Sequence, residues 1–282
     1  MKDFKPMLAH VYTDETQIDW SQPVYIQPKL DGVRCIFTKD GAFSRTGKRF
    51  MNVKHIERAL QFVWEKFPEL ILDGELYNHE LKDDFEKIIS LVRKQTPTET
   101  EQVEARDLIQ FNIYDVWMEV SDYRKRFKFL VRTLAGGLTR TKFPQWRIHD
   151  THNCATPAMV KVMHERFLKK GYEGSIIRLN GKYEQKRSKN LLKVKDFSDS
   201  EAKIINWVEG KGKRRGTIGK FIAVDSYGME FGMPVMDNFK FLQKNFNFMN
   251  KWLGKTATFT YFVKTKRGSY RHPLFKCLRN YE

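Results

Sequence analysis

Lys29-Leu30-Asp31-Gly32-Val33-Arg34 stands directly after the strand-like Val24-Tyr25-Ile26-Gln27 and Pro28, and runs into a second apolar stretch over residues 33–38. A lysine that ends a strand between a proline and an apolar residue sits where water is scarce. Desolvation lowers an ammonium group from its usual pKa of about 10.4 toward neutrality and turns the amine into a nucleophile. Gly32 permits a bend or a close backbone approach, and Arg34 offers a planar fork of donors suited to phosphate or ribose oxygens. Taken alone, a lysine at such a turn is more often simply solvated, so the meaning of the hexapeptide depends on its surroundings.

Around it, strands and helices alternate. Strand candidates lie at residues 24–27, 33–38, 70–72, 108–116 and 175–178. Val53, Ile56, Leu60, Val63 and Phe67 recur at helical spacing and predict a helix over 52–67, with Asn52 as N-cap and Pro68 as the stop. Further helices are expected over 83–94, 122–134 and 156–170, the last with Pro157 in its first turn and Gly171 at the C′ position. After Phe197 the texture changes. Ser198-Asp199-Ser200 opens strand candidates at 201–208, 216–225, 229–231, 256–263 and 274–278, with one helix candidate, 236–252, before the last two. The expected fold is therefore α+β, a mixed domain over 1–198 followed by a small β-barrel of OB type over 199–282.

The chain has 282 residues with 51 Lys and Arg against 34 Asp and Glu, a net charge of +17 and a pI near 9.7. A hydrophobic fraction of 41%, with 14% aromatic, supplies real cores and excludes general disorder. No stretch approaches the roughly 18 apolar residues needed to cross a bilayer, and residues 1–10 lack the apolar core of a secretory signal. No membrane partner is expected, and the expected location is the cytoplasm of a bacterial cell, including one infected by a bacteriophage. Cys35, Cys154 and Cys277 are odd in number, far apart and without a CxxC pair, which argues against a disulfide framework and a thiolate zinc site. The positive charge favours a polyanion, with nucleic acid first and an anionic membrane surface second, while a plainly solvated basic surface is a third reading. Residues 199–282 hold 16 Lys and Arg against 7 Asp and Glu. Their densest cluster, Lys211, Lys213, Arg214 and Arg215, lies in a glycine-flanked turn able to reach a phosphate backbone.

The hexapeptide resembles motif I of the covalent nucleotidyltransferases, the superfamily of ATP-dependent DNA ligases, RNA ligases and mRNA capping enzymes. The other motifs of that superfamily follow in order. Ser44-Arg45-Thr46-Gly47 resembles motif Ia, Leu72-Asp73-Gly74-Glu75-Leu76 motif III, and Asn112-Ile113-Tyr114-Asp115-Val116 motif IIIa. Glu173-Gly174-Ser175-Ile176-Ile177-Arg178 resembles motif IV, Leu191-Leu192-Lys193-Val194-Lys195 motif V, and Arg271-His272-Pro273-Leu274-Phe275, with Arg279 beyond it, motif VI. The Pro6-Met7-Leu8-Ala9 opening and the form of motif V resemble minimal ATP-dependent DNA ligases of viral and bacteriophage type. The likeness spans residues 5–281, and the short stretch before motif I leads us to expect no large amino-terminal DNA-binding domain.

That resemblance implies a nucleotidyltransferase (adenylation) domain and a set of roles. Lys29 would attack the α-phosphate of ATP to form a lysine–AMP adduct. Lys193 and Lys195, alternate residues of one strand, would meet the phosphate and help depress the pKa of Lys29. Asp31 would orient Lys29 or a metal-bound water, or simply stabilise its turn. Glu75 would accept from ribose hydroxyls, and Gln27 would lie beside the adenine edge. Tyr114 would stack on adenine or serve as an ordinary core aromatic. Arg34 and Arg45 would reach the ribose or the nick phosphate. Mg2+ or Mn2+ would be held by Glu173, with Glu75 and Asp31 nearby, although a structural ion pair also fits Glu173. Arg271 would orient the pyrophosphate, which implies domain closure about a hinge near residues 197–200. Arg45, Lys48, Lys211, Lys213, Arg214 and Arg215 would contact DNA. The expected activity is sealing of 5′-phosphate/3′-hydroxyl nicks in duplex DNA by a monomer. An RNA ligase or a GTP-dependent capping enzyme shares the lysine chemistry, and a non-catalytic OB-fold binding protein is the rival of another class.

Overall fold

In the computed structural model of the chain, described over residues 4–135, 144–236, 239–265 and 268–279, two compact units form, Met1–Lys195 and Asp196–Glu282. Unit 1 runs β1 (Leu8–Val11), β2 (Val24–Lys29), β3 (Val33–Thr38), β4 (Gly41–Phe43), α1 (Lys54–Lys66), β5 (Ile71–Tyr77), α2 (Phe85–Val92), α3 (Glu99–Leu108), β6 (Gln110–Trp117), α4 (Tyr123–Leu134), β7 (Trp146–Ile148), β8 (His152–Asn153), α5 (Pro157–Lys169), β9 (Gly174–Leu179) and β10 (Arg187–Val194).

These strands make two five-stranded sheets, β1-β10-β9-β2-β8 and β4-β3-β5-β6-β7. All neighbours are antiparallel except β1 with β10 and β6 with β7. The second sheet buries Cys35, Phe37, Leu72, Leu76, Phe111 and Ile113 against Ile56, Leu60 and Val63 of α1 and Ile88 and Val92 of α2. The first packs Val24, Ile26, Ile177 and Leu192 against Val160 and Phe167 of α5. Apolar positions recurring at three and four residues are what bring each helix to its sheet.

Local differences from the sequence expectation have physical causes. Asn52 does not cap α1. Its Nδ2 donates to the carbonyls of Leu91 at 3.0 Å and Glu101 at 3.2 Å, and Val53 stands at the N-cap without a side-chain bond. Helix α3 was not expected, because only Ala105 of its residues is buried, yet Thr98 and Glu101 form a full capping box. The strand expected over 70–72 continues to Tyr77, since Asp73 and Glu75 are strand residues. Thr156, Pro157 and Gly171 behave as expected: Thr156 Oγ1 accepts from the Met159 amide at 3.3 Å, and Gly171 has φ +84°.

Unit 2 contains β11 (Ser198–Glu209), β12 (Ile218–Val224), β13 (Glu230–Pro234), α6 (Phe239–Phe246), β14 (Thr256–Tyr261), β15 (Val263–Lys264), β16 (Tyr270–Arg271) and β17 (Leu274–Leu278). The five long strands form an antiparallel sheet in the order β13-β12-β11-β14-β17. One isolated parallel bridge joins Val235 and Phe275 beside its edges, and the sheet is open where a closed barrel of OB type was expected. Ile204, Phe221, Met233, Leu242 and Phe259 fill the interior of the unit. The helix expected over 236–252 is two pieces, α6 and a 3-10 turn over Met249–Trp252, and residues 237–238 of that expectation lie outside the described residues. Ser198, Asp199 and Ser200, expected as a hinge, are strand residues paired with Tyr261, Thr260 and Phe259. Among the described residues no helix is long and apolar enough to cross a membrane.

Candidate active site

Three chain segments bring the ends of β2, β9 and β10 together. Lys29 closes β2 in register with Gly174, the Glu173 amide donates to the Lys29 carbonyl at 3.1 Å, and Lys195 is the first residue past β10. Two glycines make this approach possible. A Cβ at Gly32 would stand 2.4 Å from the Leu76 carbonyl oxygen, and one at Gly174, whose φ is +153°, would stand 2.3 Å from that of Val194. The freedom of Gly32 is thus spent on a neighbouring strand.

Glu173 is buried and lies between two lysines. One carboxylate oxygen bonds Lys29 Nζ and the other bonds Lys195 Nζ, with the three side chains 21%, 3% and 14% exposed in the order Lys29, Glu173, Lys195. Burial lowers the pKa of Lys195, and the Lys29 charge lowers it further. Lys193, on β10, is lowered by burial, then by Arg187 and Lys29. Three amines therefore crowd one carboxylate, an arrangement that draws in phosphate oxygens. Asp31 is half-buried in the turn between β2 and β3.

The floor is β5 and β6. Arg34 clasps Asp73 through two bonds, Nε to Oδ1 at 2.9 Å and Nη2 to Oδ2 at 2.5 Å, and the Tyr183 hydroxyl donates to the same carboxylate at 2.7 Å. Glu75, two residues on along β5, accepts from the Tyr114 hydroxyl at 3.3 Å. Burial pushes its carboxyl up to about 8, against the pull of Lys29 and Arg34, so it keeps its proton at neutral pH. The guanidinium carbons of Arg34 and Arg178 lie 5.6 and 5.0 Å from the centre of the Tyr114 ring.

Behind the lysine runs a dry ionic network absent from the expected site. Asp115 is fully buried and receives Arg126 Nε at 2.8 Å, Arg126 Nη2 at 3.1 Å and Arg178 Nη1 at 2.9 Å. Arg178 Nε also donates to Gln27 Oε1 at 2.6 Å. Gln27 is 1% exposed and held by its neighbours. Asp73, Asp115 and Arg178 could have been found as charges inside strand runs of the quoted motifs. Arg126, Tyr183 and His149 carried no comparable signal.

The three carboxylates proposed for a metal do not assemble as one: among the described residues no group of three or more His, Cys, Asp or Glu side chains could hold an ion. Glu173 is neutralised by two lysines, and Glu75 is bonded by Tyr114. The donors present suit a hard divalent ion that takes one carboxylate and completes its shell with phosphate oxygens and water. Arg45 and Lys48 are exposed in the tight turn after β4. In unit 2, Lys211, Lys213 and Arg215 are exposed, whereas Arg214 Nη2 is turned inward and donates to the Val235 carbonyl at 2.8 Å. Arg271 is half-buried on β16, opposite Val263.

Residues 6–195 match the family described as "ATP dependent DNA ligase domain". A DNA ligase of African swine fever virus is 28% identical over 229 residues, covering 76% of this chain and 52% of that protein. A DNA ligase of Haemophilus influenzae is 26% identical over 216 residues, covering 76% of this chain and 71% of that protein. The chain thus spans about half the length of the viral relatives it matches. Among solved structures, a Lig E DNA ligase from a study of DNA binding with a minimal scaffold shares the fold, with a TM-score of 0.77 at 22% identity over 98% of this chain and 99% of that one.

Proposed function

Because the chain belongs to the ATP-dependent DNA ligase family, we propose that it seals 5′-phosphate/3′-hydroxyl nicks in duplex DNA, in repair and replication, through an adenylated Lys29. The observation that carries this reading is the convergence of Lys29, Lys193, Lys195 and Glu173 at the ends of β2, β9 and β10 within the matched residues. Lys29 Nζ must shed a proton before it attacks, and Glu173, bonded to it, is the base in contact. The nitrogen then forms a bond to the α-phosphorus of ATP as the bond to the pyrophosphate oxygen breaks. Lys195 and Lys193 offset the charge that gathers on the phosphoryl oxygens. In the second step an oxygen of the DNA 5′-phosphate takes AMP from Lys29, and in the third the 3′-hydroxyl displaces AMP to close the backbone.

Glu75 meets the ribose and Tyr114 the base in this reading, with Arg34 held in place by Asp73. Mg2+ or Mn2+, held by Glu173 and the nucleotide phosphates, would supply Lewis-acid charge at the reacting phosphate. Arg45 and Lys48 on unit 1 and Lys211, Lys213 and Arg215 on unit 2 are exposed cations suited to DNA phosphates. Arg271 is the residue of unit 2 assigned to the pyrophosphate. The protein acts as a monomer in the cytoplasm. Incubation with α-labelled ATP and magnesium tests the core of the reading: the label becomes protein-bound in the wild type and not in Lys29→Ala. Label retained by Lys29→Ala overturns the assignment, and an adduct with GTP in place of ATP selects capping chemistry.

A further inference from the structure

The hydrogen bonds around Gln27 hold its side chain in place. Gln27 Oε1 accepts from Arg178 Nε at 2.6 Å, and its Nε2 donates to Thr151 Oγ1 at 2.7 Å and to the Tyr123 hydroxyl at 3.1 Å. The Thr151 hydroxyl donates in turn to the His149 carbonyl at 3.1 Å, and that of Tyr123 to the Tyr114 carbonyl at 3.4 Å. Both ends of the Gln27 amide are engaged by protein, at a residue 1% exposed. Gln27 Oε1 keeps a second lone pair, but an amide so deeply buried presents little surface to a base edge, and a further residue can read it.

His149 remains. Its amide donates to the Ile113 carbonyl at 2.8 Å, its Nε2 lies 2.8 Å from the Pro28 carbonyl oxygen, and its ring meets the Tyr114 ring edge-on at 6.3 Å between centres. A carbonyl oxygen can only accept, so Nε2 must carry the hydrogen. Burial holds the ring's pKa down at about 4, against the bond to Pro28 and the charge of Asp150 and with the help of Arg147 and Arg178, so the imidazole is neutral at physiological pH. A neutral ring protonated on Nε2 bears a bare lone pair on Nδ1. That atom has no hydrogen-bond partner among the described residues. It is also not among the buried polar atoms left without one, which are Arg49 Nη1, Asn52 Oδ1, Asn78 Nδ2 and Asn112 Nδ2. Nδ1 is therefore the ring nitrogen left unpaired among the described residues, on a residue 5% exposed.

Resting on the nucleotide site of the reading above, we propose that His149 Nδ1 accepts a hydrogen bond from the exocyclic amino group of the purine and so separates 6-aminopurine from 6-oxopurine nucleotides. A 6-aminopurine beside Tyr114 presents an N–H donor to this lone pair. A 6-oxopurine sets an oxygen lone pair against it, and the two repel. The bond to Pro28, one residue before Lys29, fixes the tautomer and ties the base-reading ring to the backbone of the nucleophile.

The test compares formation of the Lys29 adduct from ATP, from inosine triphosphate and from purine riboside triphosphate, which lacks the 6-amino group. In the wild type, kcat/KM for ATP exceeds that for purine riboside triphosphate by about tenfold, the effect of one neutral hydrogen bond, and that for inosine triphosphate by more. His149→Phe keeps a ring without the nitrogen and brings the first ratio to within about twofold of one. His149→Asn, whose amide oxygen can stand near the position of Nδ1, restores much of it. A His149→Phe protein that is slowed equally with all three nucleotides and keeps the wild-type ratio overturns the proposal, as would a wild-type ratio near one with no variant made. Failure of the wild type to form any Lys29 adduct with ATP overturns the nucleotide site itself and the inference with it.

Discussion

Asp115→Ala should be among the most destabilising single changes in unit 1. The carboxylate has no exposure and holds two guanidiniums that are themselves 1% and 3% exposed, those of Arg126 and Arg178. Removing it leaves, among the described residues, Arg126 hydrogen-bonded only to the carbonyls of Ser121 at 2.7 Å and Gly181 at 3.0 Å, and Arg178 only to Gln27. Breaking a buried ion pair costs about 3–5 kcal/mol, because the orphaned charge keeps its desolvation penalty. For a unit of this size, 1 kcal/mol moves Tm by roughly 2–4 °C, so a fall of about 6–20 °C is expected. Thermal unfolding followed by circular dichroism measures it. Asp115→Asn, which preserves shape but not charge, should lose more than half as much. If orphaned charge and not lost packing is the cause, adding Arg126→Met to Asp115→Ala recovers part of the loss, with a coupling of about 1–3 kcal/mol. A Tm for Asp115→Ala within about 2 °C of wild type, or strict additivity in the double variant, refutes the reasoning.

Stability should carry two opposed pH signatures. Glu75, raised to about 8 from 4.5, holds a proton in the folded state that the unfolded chain has lost, so its contribution falls as pH rises between those values. His149, lowered to about 4 from 6.5, stays neutral while the unfolded chain is protonated, so its contribution falls as pH drops through that window. Chemical denaturation of Glu75→Gln and of the wild type across pH 4 to 9 should therefore give a stability difference that grows with pH in favour of the variant, and a constant difference would sink the assignment. Nick sealing should weaken steeply with salt and self-adenylation much less. Neutralising Lys211, Lys213 or Arg215 should each lower the log–log salt slope of DNA binding by about 0.9. Arg214→Gln should leave that slope nearly unchanged, because its guanidinium is bonded to the Val235 carbonyl. An equal slope change at all four positions would contradict the inward orientation of Arg214.

What the sequence discloses is the part written locally. Lys29, Glu173 and Lys195 each interrupt or end an apolar strand, and a charge at a strand end declares itself in one dimension. Helix α5 announces both its ends through Thr156, Pro157 and Gly171. Helix α3 was hidden because a helix with one buried residue, Ala105, leaves no periodic stripe, although its capping box was there to read. Asn52 looked like a cap because its true partners, the carbonyls of Leu91 and Glu101, are distant in sequence. The same holds for Gln27 with Arg178, 151 residues apart, and for Asp73 with Tyr183, 110 apart. Pairings across such spans arise only when distant segments come together, within one sheet for Gln27 and Arg178, and no local pattern encodes them.

The packing of the two sheets of unit 1 also sets the charge of the site. Asp73 and Asp115 face one another across β5 and β6, a placement that repels unless each carboxylate is compensated. Arg34 answers the first, and Arg126 and Arg178 together answer the second. With Glu75 protonated at neutral pH, this seam holds one guanidinium more than it holds carboxylates. A larger excess, of two cations, recurs at the strand ends, where Lys29, Lys193 and Lys195 crowd Glu173. Both halves of the site are therefore short of negative charge in surroundings where water screens poorly, and a triphosphate supplies what is missing. The lysine that must attack stands at the meeting point of the two. Gln27 lies two residues before it on β2 and faces the same way, and it is gripped by Arg178. The network that holds the sheets together thus also aims the amine.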